Sequence, residues 1–489
     1  MPQSSVNPAT GEVLAVIADH SDDETEHLVQ RAAIAARAWR AVALDIRTTM
    51  LRTMAELLDA ELEGLARVAT LEMGKPVGAA RQEVAKCASA CRFYADQAAA
   101  MLAPERMMRE GIVDGAVHCQ PLGVVLAIMP WNFPYWQAIR AAAPALAAGN
   151  VVMLKHASNV PQCALAIERL FVQAGAREGA FTTLLISGAR AGALIGDARI
   201  AAVTLTGSEA AGRDVGARAG RAVKPCVLEL GGSDPFVVLE SADIDAAVST
   251  AVRARCINNG QSCIAAKRFI VHTAVYDAFA ERFTAAMRAM RIGDPLLEGV
   301  EMGPLATASI RDEVADQVRR TVAAGARVLC GGSVPEGPGH FYPPTVLADV
   351  PRHSAAAREE VFGPVAPLFR VDSADEALAL ANDTPFGLGA SVWTRDADEA
   401  RRFAMGIDAG SVFINAMMAS DPRFPFGGIK ASGVGRELAR EGLRSFVNVK
   451  TVRGSAYSAA TAASGGTASP TSPSAPSASR AVPAAPAPG

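Results

Sequence analysis

From about residue 122 onward, short β-type runs alternate with helical stretches. The runs are GVVLAIMP, NVVMLK, FTTLLI, AAVTLTGS, CVLEL and PFVVLE, and stretches such as QAIRAAAPALAAG and QCALAIERLFVQAG separate most of them. Strands and helices in alternation predict a parallel sheet that is covered on both faces. Folds of this kind place their ligands at the carboxyl ends of the strands. The sequence therefore predicts an α/β fold with a site at one edge of a sheet.

The alternation continues beyond residue 263 and is preceded by a helical region. RFIVHT, VYDAFAERFTAAMRAM, ARVLCGG and VAPLFRV indicate a second α/β domain, and residues from about 21 to 103 show helical periodicity with a stop at Gly74. A chain of 489 residues is too long for one ordinary core. We therefore expect two or three domains.

The composition is that of a soluble globular protein. The chain carries 47 basic and 50 acidic residues, a formal net charge of -3, which gives no reason to expect a nucleic-acid or membrane partner. The N-terminus lacks the features of a secretory signal, and the most apolar stretch is interrupted by Arg140 and Pro144. The eight cysteines show no Cys-x-x-Cys spacing. We expect no metal site and a cytoplasmic location with reduced thiols.

The C-terminal tail, residues 454–489, consists almost entirely of Ala, Ser, Pro, Gly and Thr. Such a composition buries too little apolar surface to offset the entropy of ordering. We predict that the tail is disordered.

Cys263 differs from a core cysteine because the polar residues NNGQS precede it and a basic pair follows soon after. Three other polar residues stand where strands end: Lys155, Ser208 and Glu229. Lys155 and the Gly207-Ser208 turn suit a phosphate-bearing ligand. The glycine pattern is not G-x-G-x-x-G, however, and a solvated lysine beside an ordinary turn is the alternative.

Glu229 and Asn132 each have a functional and a structural interpretation. Glu229 lies in an apolar run, so burial would raise its pKa and suit it to act as a general base, unless a buried Arg or Lys pairs with it. Asn132 lies in MPWNFPYW, where its amide suits a developing oxyanion or belongs to a rigid packed turn.

Taken together, these motifs resemble the aldehyde dehydrogenases. MPWNFP, LKHAS, LTGS, LELGGSDP, NNGQSC, EEVFGP and PFGGIKASGVGRE appear in the order and approximate spacing of that family over roughly residues 5 to 453. Within the family the chain is most similar to the shorter bacterial succinate-semialdehyde dehydrogenases, on the stretches VLELGGSDPF, AAKRFI, FYPPTVL and EVAKCA.

The resemblance implies the domain plan. A Rossmann-type NAD(P)-binding domain would comprise residues 1–106 and 122–228, and the catalytic domain residues 229–432. Residues 107–121 and 433–453 would be the oligomerisation elements of a homodimer or homotetramer. EGIVDGAVHCQPLG would form a hairpin with its turn at Asp114-Gly115, and SFVNVKTV the associated strand.

The resemblance also implies the chemistry. The Cys263 thiolate would attack the aldehyde carbon to give a thiohemiacetal, and loss of hydride would leave a thioester. Glu229 would activate the water that hydrolyses the thioester, and Asn132 with the backbone N–H of Cys263 would hold the oxyanion. Gly260 would give the loop the backbone freedom it needs.

The cofactor residues carry over by their positions in the motifs. They are Trp131, Asn132, Lys155, Ser158, Gly207, Ser208, Leu230, Glu360 and Phe362. Glu437 matches a second acid in the water channel. Many NAD-preferring members have a glutamate at the position of Ser158, where it repels a 2′-phosphate. Ser158 therefore predicts that NADP is accepted as well as NAD, and permits a preference for NADP.

The substrate residues are Arg140 and Ser420. Arg140, eight residues after Asn132, matches an arginine that binds the substrate carboxylate in related enzymes, and a salt bridge is the alternative. A second arginine used by some relatives is Ile257 here, so Ser420 and Arg423 are candidates to supply the missing donor.

The predicted function is NAD(P)-dependent oxidation of succinate semialdehyde, or of a related short aldehyde, to the carboxylate. A CoA-acylating enzyme is one alternative, although that branch generally lacks the glutamate base; a requirement for CoA would identify it. A non-enzymatic binding or structural protein that reuses the fold is the other, and turnover of an aldehyde would exclude it.

Overall fold

The computed structural model describes residues 2–109 and 112–454. They form two compact units. The larger unit contains residues 2–103 and 119–448, and the smaller contains the described residues of 104–118 and 449–454.

The strands, numbered along the chain, are β1 Gln3–Val6, β2 Val13–Ile17, β3 Glu105–Arg109, β4 Ile112–Pro121, β5 Val124–Met129, β6 Val151–His156, β7 Phe181–Thr183, β8 Ile200–Thr206, β9 Cys226–Glu229, β10 Asp234–Val238, β11 Ala266–His272, β12 Arg327–Cys330, β13 Thr345–Ala348, β14 Val365–Val371, β15 Gly389–Trp393, β16 Ser411–Ile414, β17 Gly433–Val434 and β18 Val447–Arg453. Every β-type run singled out in the sequence overlaps one of these strands.

The helices are α1 Asp22–Trp39, α2 Leu44–Ala60, α3 Leu62–Met73, α4 Val77–Leu102, α5 Trp136–Ala148, α6 Pro161–Gln173, α7 Gly188–Leu194, α8 Glu209–Arg221, α9 Ile244–Cys256, α10 Thr273–Arg288, α11 Ala308–Ala323, α12 Ala355–Arg358, α13 Ala374–Asn382, α14 Ala397–Gly406 and α15 Ala439–Arg444.

The four N-terminal helices confirm the helical region predicted from the sequence. A capping box begins α1, because the Ser21 hydroxyl accepts from Glu24 N at 3.1 Å and the Glu24 carboxylate accepts from Ser21 N at 2.6 Å. Gly74 ends α3 in the left-handed conformation, at φ 82°.

A six-stranded sheet of the order β17-β9-β8-β5-β6-β7 forms one half of the larger unit. All of its strands are parallel except β17, which runs antiparallel to β9. The strand order reverses between β5 and β8, and in open α/β sheets ligands bind outside the carboxyl ends of the strands at such a point.

A seven-stranded sheet of the order β12-β13-β14-β11-β10-β15-β16 forms the other half. Only β12 runs antiparallel to its neighbour. The chain passes from the first sheet to the second within a few residues, since β9 ends at Glu229 and β10 begins at Asp234. The carboxyl end of the first sheet therefore connects directly to the amino end of the second.

The smaller unit contains the sheet β18-β4-β3 and requires two corrections. The hairpin pairs β3 with β4, and Asp114-Gly115 lies inside β4 rather than at the turn. Met107 pairs with Gly115 and Met108 with Val113, so Asp114 is the extra residue of a β-bulge, a feature that short polar residues and glycine also favour.

The second correction concerns the boundary at residue 433. Gly433 pairs with Glu229 at the edge of the six-stranded sheet, and the larger unit extends to residue 448. The predicted disordered tail lies outside the described residues from 455 onward. None of the described helices has the length and apolar character needed to cross a membrane.

Candidate active site

A cavity of about 540 Å³ lies where the carboxyl ends of β5, β8 and β9 face the segments that precede β11 and β14. We call it the first cavity. Its lining includes eight of the predicted site residues: Trp131, Asn132, Gly207, Ser208, Leu230, Cys263, Glu360 and Phe362. The tertiary structure thus brings together residues that the motifs spread over nearly half of the chain.

Among the described residues that line the first cavity, neither Lys155 nor Ser158 is found. Lys155 ends β6 and pairs in register with Ile128 of β5, and Ser158 is exposed in the loop that follows. Burial lowers the pKa of the Lys155 ammonium. Both residues belong to the same edge of the sheet as the first cavity, one strand further out.

A second cavity, of about 210 Å³, lies beside the first. Its lining includes Lys86, Trp136, Arg140, Ser420 and Phe426, and Cys263 lines both cavities. A thiol in this position is accessible to a ligand from either side.

The loop that presents Cys263 is held in an unusual backbone conformation. Asn258, Asn259 and Gly260 have consecutive φ values of 56°, 60° and 77°. A Cβ at Gly260 would lie 2.4 Å from the carbonyl carbon of Gly363, so only glycine fits. The Asn259 amide donates to the carbonyl oxygens of Gly74 and Pro304, each at 2.9 Å. The predicted requirement for glycine is confirmed, and the loop is pinned by its own side chains.

The surroundings of Cys263 favour the protonated thiol over the thiolate. Burial raises its pKa to about 12, although the charges of Lys267 and Arg140 act in the opposite direction. The Lys267 ammonium donates to the carbonyl oxygen of Cys263 at 2.7 Å and pairs with Glu360 at 3.1 Å. Because only the thiolate attacks, the reaction needs a group that accepts the thiol proton.

The Asn132 amide is buried and its orientation is set by two hydrogen bonds. Its Oδ1 accepts from Gln137 Nε2 at 3.1 Å, and its Nδ2 donates to the carbonyl oxygen of Gln261 at 3.0 Å. An amide nitrogen carries two hydrogens, so one N–H remains for a ligand in the first cavity. This geometry fits a donor to an oxyanion.

Glu229, at the end of β9, is buried with only 2 % of its surface exposed. Neither carboxylate oxygen has a hydrogen-bond partner among the described residues. Burial and the nearby Glu437 raise its pKa well above the usual range, while Arg140 and Arg436 oppose the shift. No Arg or Lys forms an ion pair with it in the described chain, so the structure favours the predicted base over the structural alternative.

Arg140 and Glu437 form a buried ion pair, with 2.5 Å between Nε and Oε2. Arg140 Nη2 also donates to the Thr206 hydroxyl at 3.2 Å, and the guanidinium lies 4.8 Å from the centre of the Phe426 ring. Of the two sequence-based interpretations of Arg140, the salt bridge is therefore the one that the structure contains. Burial raises the pKa of Glu437.

The other predicted substrate residues divide into two groups. Ser420 lines the second cavity and accepts a hydrogen bond from Lys86 Nζ at 2.6 Å. Arg423 is exposed and pairs with Asp421 at 2.6 Å. It is not among the described residues that line either cavity. The expectation that Arg423 supplies a donor is wrong, because its own neighbour neutralises it.

Sequence reasoning missed Lys86, Gln137 and Lys267. Lys86 lies on α4, in the stretch EVAKCA that was noticed only as a similarity. Gln137 follows Trp136 at the start of α5, and Lys267 belongs to the basic pair after Cys263. Lys86 contacts Ser420, which is 334 positions away, whereas Gln137 and Lys267 contact near neighbours in sequence, Asn132 and Cys263.

Comparison with known proteins agrees with this geometry. The model of the aldehyde dehydrogenase family matches residues 2–452. The chain is 53 % identical over 454 residues to "Succinate-semialdehyde dehydrogenase [NADP(+)] 1" of Mycobacterium tuberculosis, an alignment that covers 92 % of this chain and 99 % of that protein. It is 52 % identical to "Probable succinate-semialdehyde dehydrogenase [NADP(+)]" of Synechocystis, with the same coverage.

A solved structure shows the same fold. The succinic semialdehyde dehydrogenase of Streptococcus pyogenes in complex with NADP+ superposes with a TM-score of 0.90 at 36 % identity, over 92 % of this chain and 99 % of that one. The chain therefore belongs to the aldehyde dehydrogenase family.

Proposed function

We propose that this protein catalyses the NADP-dependent oxidation of succinate semialdehyde to succinate. The observation that carries the proposal is the position of Cys263, which lines one cavity that contains the predicted cofactor residues and a second that has room for a short aldehyde. The names of the relatives in Mycobacterium tuberculosis and Synechocystis support both the substrate and the cofactor.

The first half of the reaction acylates Cys263. The Cys263 thiol first gives its proton to water in the first cavity, and the sulfur then bonds to the aldehyde carbon while the free N–H of Asn132 stabilises the oxygen as it gains negative charge. The hydrogen bond from Gln137 keeps the amide nitrogen turned toward the reacting oxygen. Bound NADP supplies the acceptor for the hydride, so that a thioester remains on Cys263.

The second half hydrolyses the thioester. Glu229 takes a proton from water, whose oxygen then attacks the thioester carbon and releases the acid and the thiolate. The carboxylate oxygens of Glu229 have no hydrogen-bond partner among the described residues and are available to a water molecule. A Cβ at Gly427 would lie 2.5 Å from Glu229 Oε1, so a glycine there leaves space for the carboxylate.

The first cavity fits a dinucleotide. Ser208 caps the N-terminus of α8, where backbone N–H groups and the helix dipole favour a pyrophosphate. Glu360 lies where it would hold the ribose of the nicotinamide half, and Gly231 has no room for a Cβ because Glu360 Oε2 would be 2.3 Å away. Lys155 and Ser158, one strand further out, would hold the adenosine ribose and its 2′-phosphate.

The assembly and the division of labour are also proposals. The six-stranded sheet would hold the cofactor and the seven-stranded sheet would carry the nucleophile. The smaller unit would join subunits into a dimer or tetramer, because Met107, Met108 and Val449 are exposed on its two edge strands, β3 and β18.

All eight cysteines are free thiols, which supports a cytoplasmic location.

The test is turnover by the purified protein. Formation of NADPH on addition of succinate semialdehyde, without CoA, and with succinate as the product, is the expected result. A strict requirement for CoA would establish the acylating alternative, and the absence of turnover with any aldehyde would establish a binding or structural protein. Glu229, which has no hydrogen-bond partner among the described residues and whose charge acts on Cys263, favours water as the acceptor of the acyl group.

A further inference from the structure

The second cavity contains a lysine to which the chemistry described so far assigns no role. Lys86 projects from α4 into the lining that Cys263 also shares. Its Nζ lies 4.3 Å from the centre of the Trp136 ring and donates to the Ser420 hydroxyl at 2.6 Å. Both contacts place the ammonium at the wall of the cavity.

The positive charge of Lys86 is not neutralised by the protein. Within the described part of the chain, no carboxylate forms an ion pair with it. Glu83, one turn earlier on α4, is occupied by Lys75 and by the backbone N–H groups of Tyr135 and Trp136 at 2.8 and 2.9 Å. Burial of an ammonium without a counter-ion is costly, so the site favours an anion as ligand.

The nearest acidic neighbour outside α4 is also occupied. Asp421, beside Ser420, pairs with Arg423 at 2.6 Å. Arg140, the other cation of the second cavity, already pairs with Glu437 at 2.5 Å. Of the two cations that line this cavity, Lys86 is therefore the one that no carboxylate of the described residues pairs with.

We infer that Lys86, together with Ser420, binds the far carboxylate of the substrate and selects aldehydes that carry one. This inference rests on the proposed function and specifies its substrate class as short aldehydes with a terminal carboxylate. An ammonium has three N–H donors, and Ser420 occupies one. The Ser420 hydroxyl accepts from Lys86, which leaves its own hydrogen free to donate to the same carboxylate.

The pH dependence of selectivity gives the inference a second signature. Burial and the nearby charge of Arg140 lower the pKa of Lys86 to about 8, while Glu83, Asp421 and Cys87 oppose the shift. The ammonium is present below that pH and is lost above it. The preference for an acid-bearing aldehyde over an uncharged one should therefore be full below about pH 8 and decline above it, whereas changes at Cys263 or Glu229 affect both aldehydes and cancel in the ratio.

The experiment compares kcat/KM for succinate semialdehyde with kcat/KM for butanal, which has no carboxylate. We expect Lys86→Met to lower the ratio of the two by about 10- to 150-fold, the range for a lost hydrogen bond to a charged group. Ser420→Ala should lower the ratio in the same direction by less. Lys224→Met is the matched control. Lys224 precedes β9, at the amino end of that strand and away from the second cavity, and its ammonium donates to the carbonyl oxygens of Ile195 and Asp197.

A second measurement does not depend on turnover of the acid-bearing aldehyde. Succinate should inhibit butanal oxidation competitively in the unmodified protein, and Lys86→Met should raise its inhibition constant by a similar factor. If Lys86→Met fails to fold, the pH profile of the ratio in the unmodified protein and the Ser420→Ala variant still decide the matter.

The outcomes separate the two proposals. An unmodified protein that oxidises succinate semialdehyde no better than butanal overturns the proposed substrate and this inference with it. A strong preference that persists in Lys86→Met, or a ratio that stays constant from pH 7 to pH 10 across the pKa of about 8, overturns the role of Lys86 alone.

Discussion

Arg140 Nε lies 2.5 Å from Glu437 Oε2, the pair is buried, and Arg140 lines the second cavity. The charge of Arg140 also opposes the rise in the pKa of Glu229. We therefore expect Arg140 to act as a positioning residue, which holds Glu437 and opposes the rise in the pKa of Glu229, rather than as the group that binds the substrate carboxylate.

We expect Arg140→Leu to lower kcat/KM for succinate semialdehyde and butanal by the same factor. The variant leaves Glu437 buried without its cation, a change that typically costs about 3–5 kcal/mol. A fall in Tm should accompany the loss, and Arg140→Lys should retain part of both. A selective loss of the acid-bearing substrate, with butanal spared, would contradict this assignment and restore the sequence-based role.

Replacement of the nucleophile should abolish oxidation. Cys263→Ser removes the sulfur at the junction of the two cavities, so NADPH formation should fall to the background rate. Cys256→Ser and Cys330→Ser are the controls: Cys256 is buried against the Met287 sulfur at 3.5 Å, and Cys330 lies on β12. Both should keep most of the activity, and a Cys263→Ser enzyme that still turns over would refute the mechanism.

Glu229→Gln should separate the two halves of the reaction. The amide cannot take a proton from water, so hydrolysis of the thioester should stall while acylation proceeds. Rapid mixing should show a burst of NADPH close to one equivalent, followed by little steady-state turnover. Normal steady-state rates would mean that another group activates the water.

The same carboxylate predicts a pH dependence. The pKa of Glu229 is raised by burial and by Glu437, and only the ionised form is a base. When hydrolysis limits the rate, kcat should be low at a pH below the pKa of Glu229, increase as the pH passes through that pKa, and level off above it. Direct measurement of thioester hydrolysis across the pH range tests this, and a flat profile would argue against Glu229.

Ser158→Glu should shift cofactor preference toward NAD. A carboxylate at the end of β6 would lie near the 2′-phosphate of NADP, and like charges juxtaposed in a binding site cost several kcal/mol. The KM for NADP should rise while the KM for NAD serves as the internal control. Equal changes in both would show that the loop is disturbed, and no change would show that Ser158 does not face the ribose.

The smaller unit should govern assembly. Sedimentation at micromolar concentration should show a dimer or tetramer, because the edge strands β3 and β18 expose Met107, Met108 and Val449. Met108→Lys places a charge on that surface and should weaken the association, whereas Met405→Lys, at an exposed position on α14 of the larger unit, should not. A monomeric unmodified protein would refute the proposal.

The sequence by itself determined the fold class and most elements of the first sheet, and it singled out candidate reactive residues. The alternation of β-type and helical runs predicted five strands of the six-stranded sheet and four of the seven-stranded sheet, and the stop at Gly74 was confirmed. Cys263, Glu229 and Asn132 became candidates because polar residues in apolar or turn-rich surroundings are local signals, and the family resemblance supplied their expected roles. The turn of the hairpin was misplaced because Asp-Gly suits a bulge as well as a turn.

Only the tertiary structure decided which residues meet. The site lies between the carboxyl ends of one sheet and the amino ends of the other, an arrangement that depends on how the two sheets pack. Arg140 forms an ion pair with Glu437, and Lys86 donates a hydrogen bond to Ser420, which is 334 positions away in the chain. Periodicity and spacing report on neighbours along the chain, whereas the charge that remains free for a substrate depends on contacts between segments that packing alone brings together.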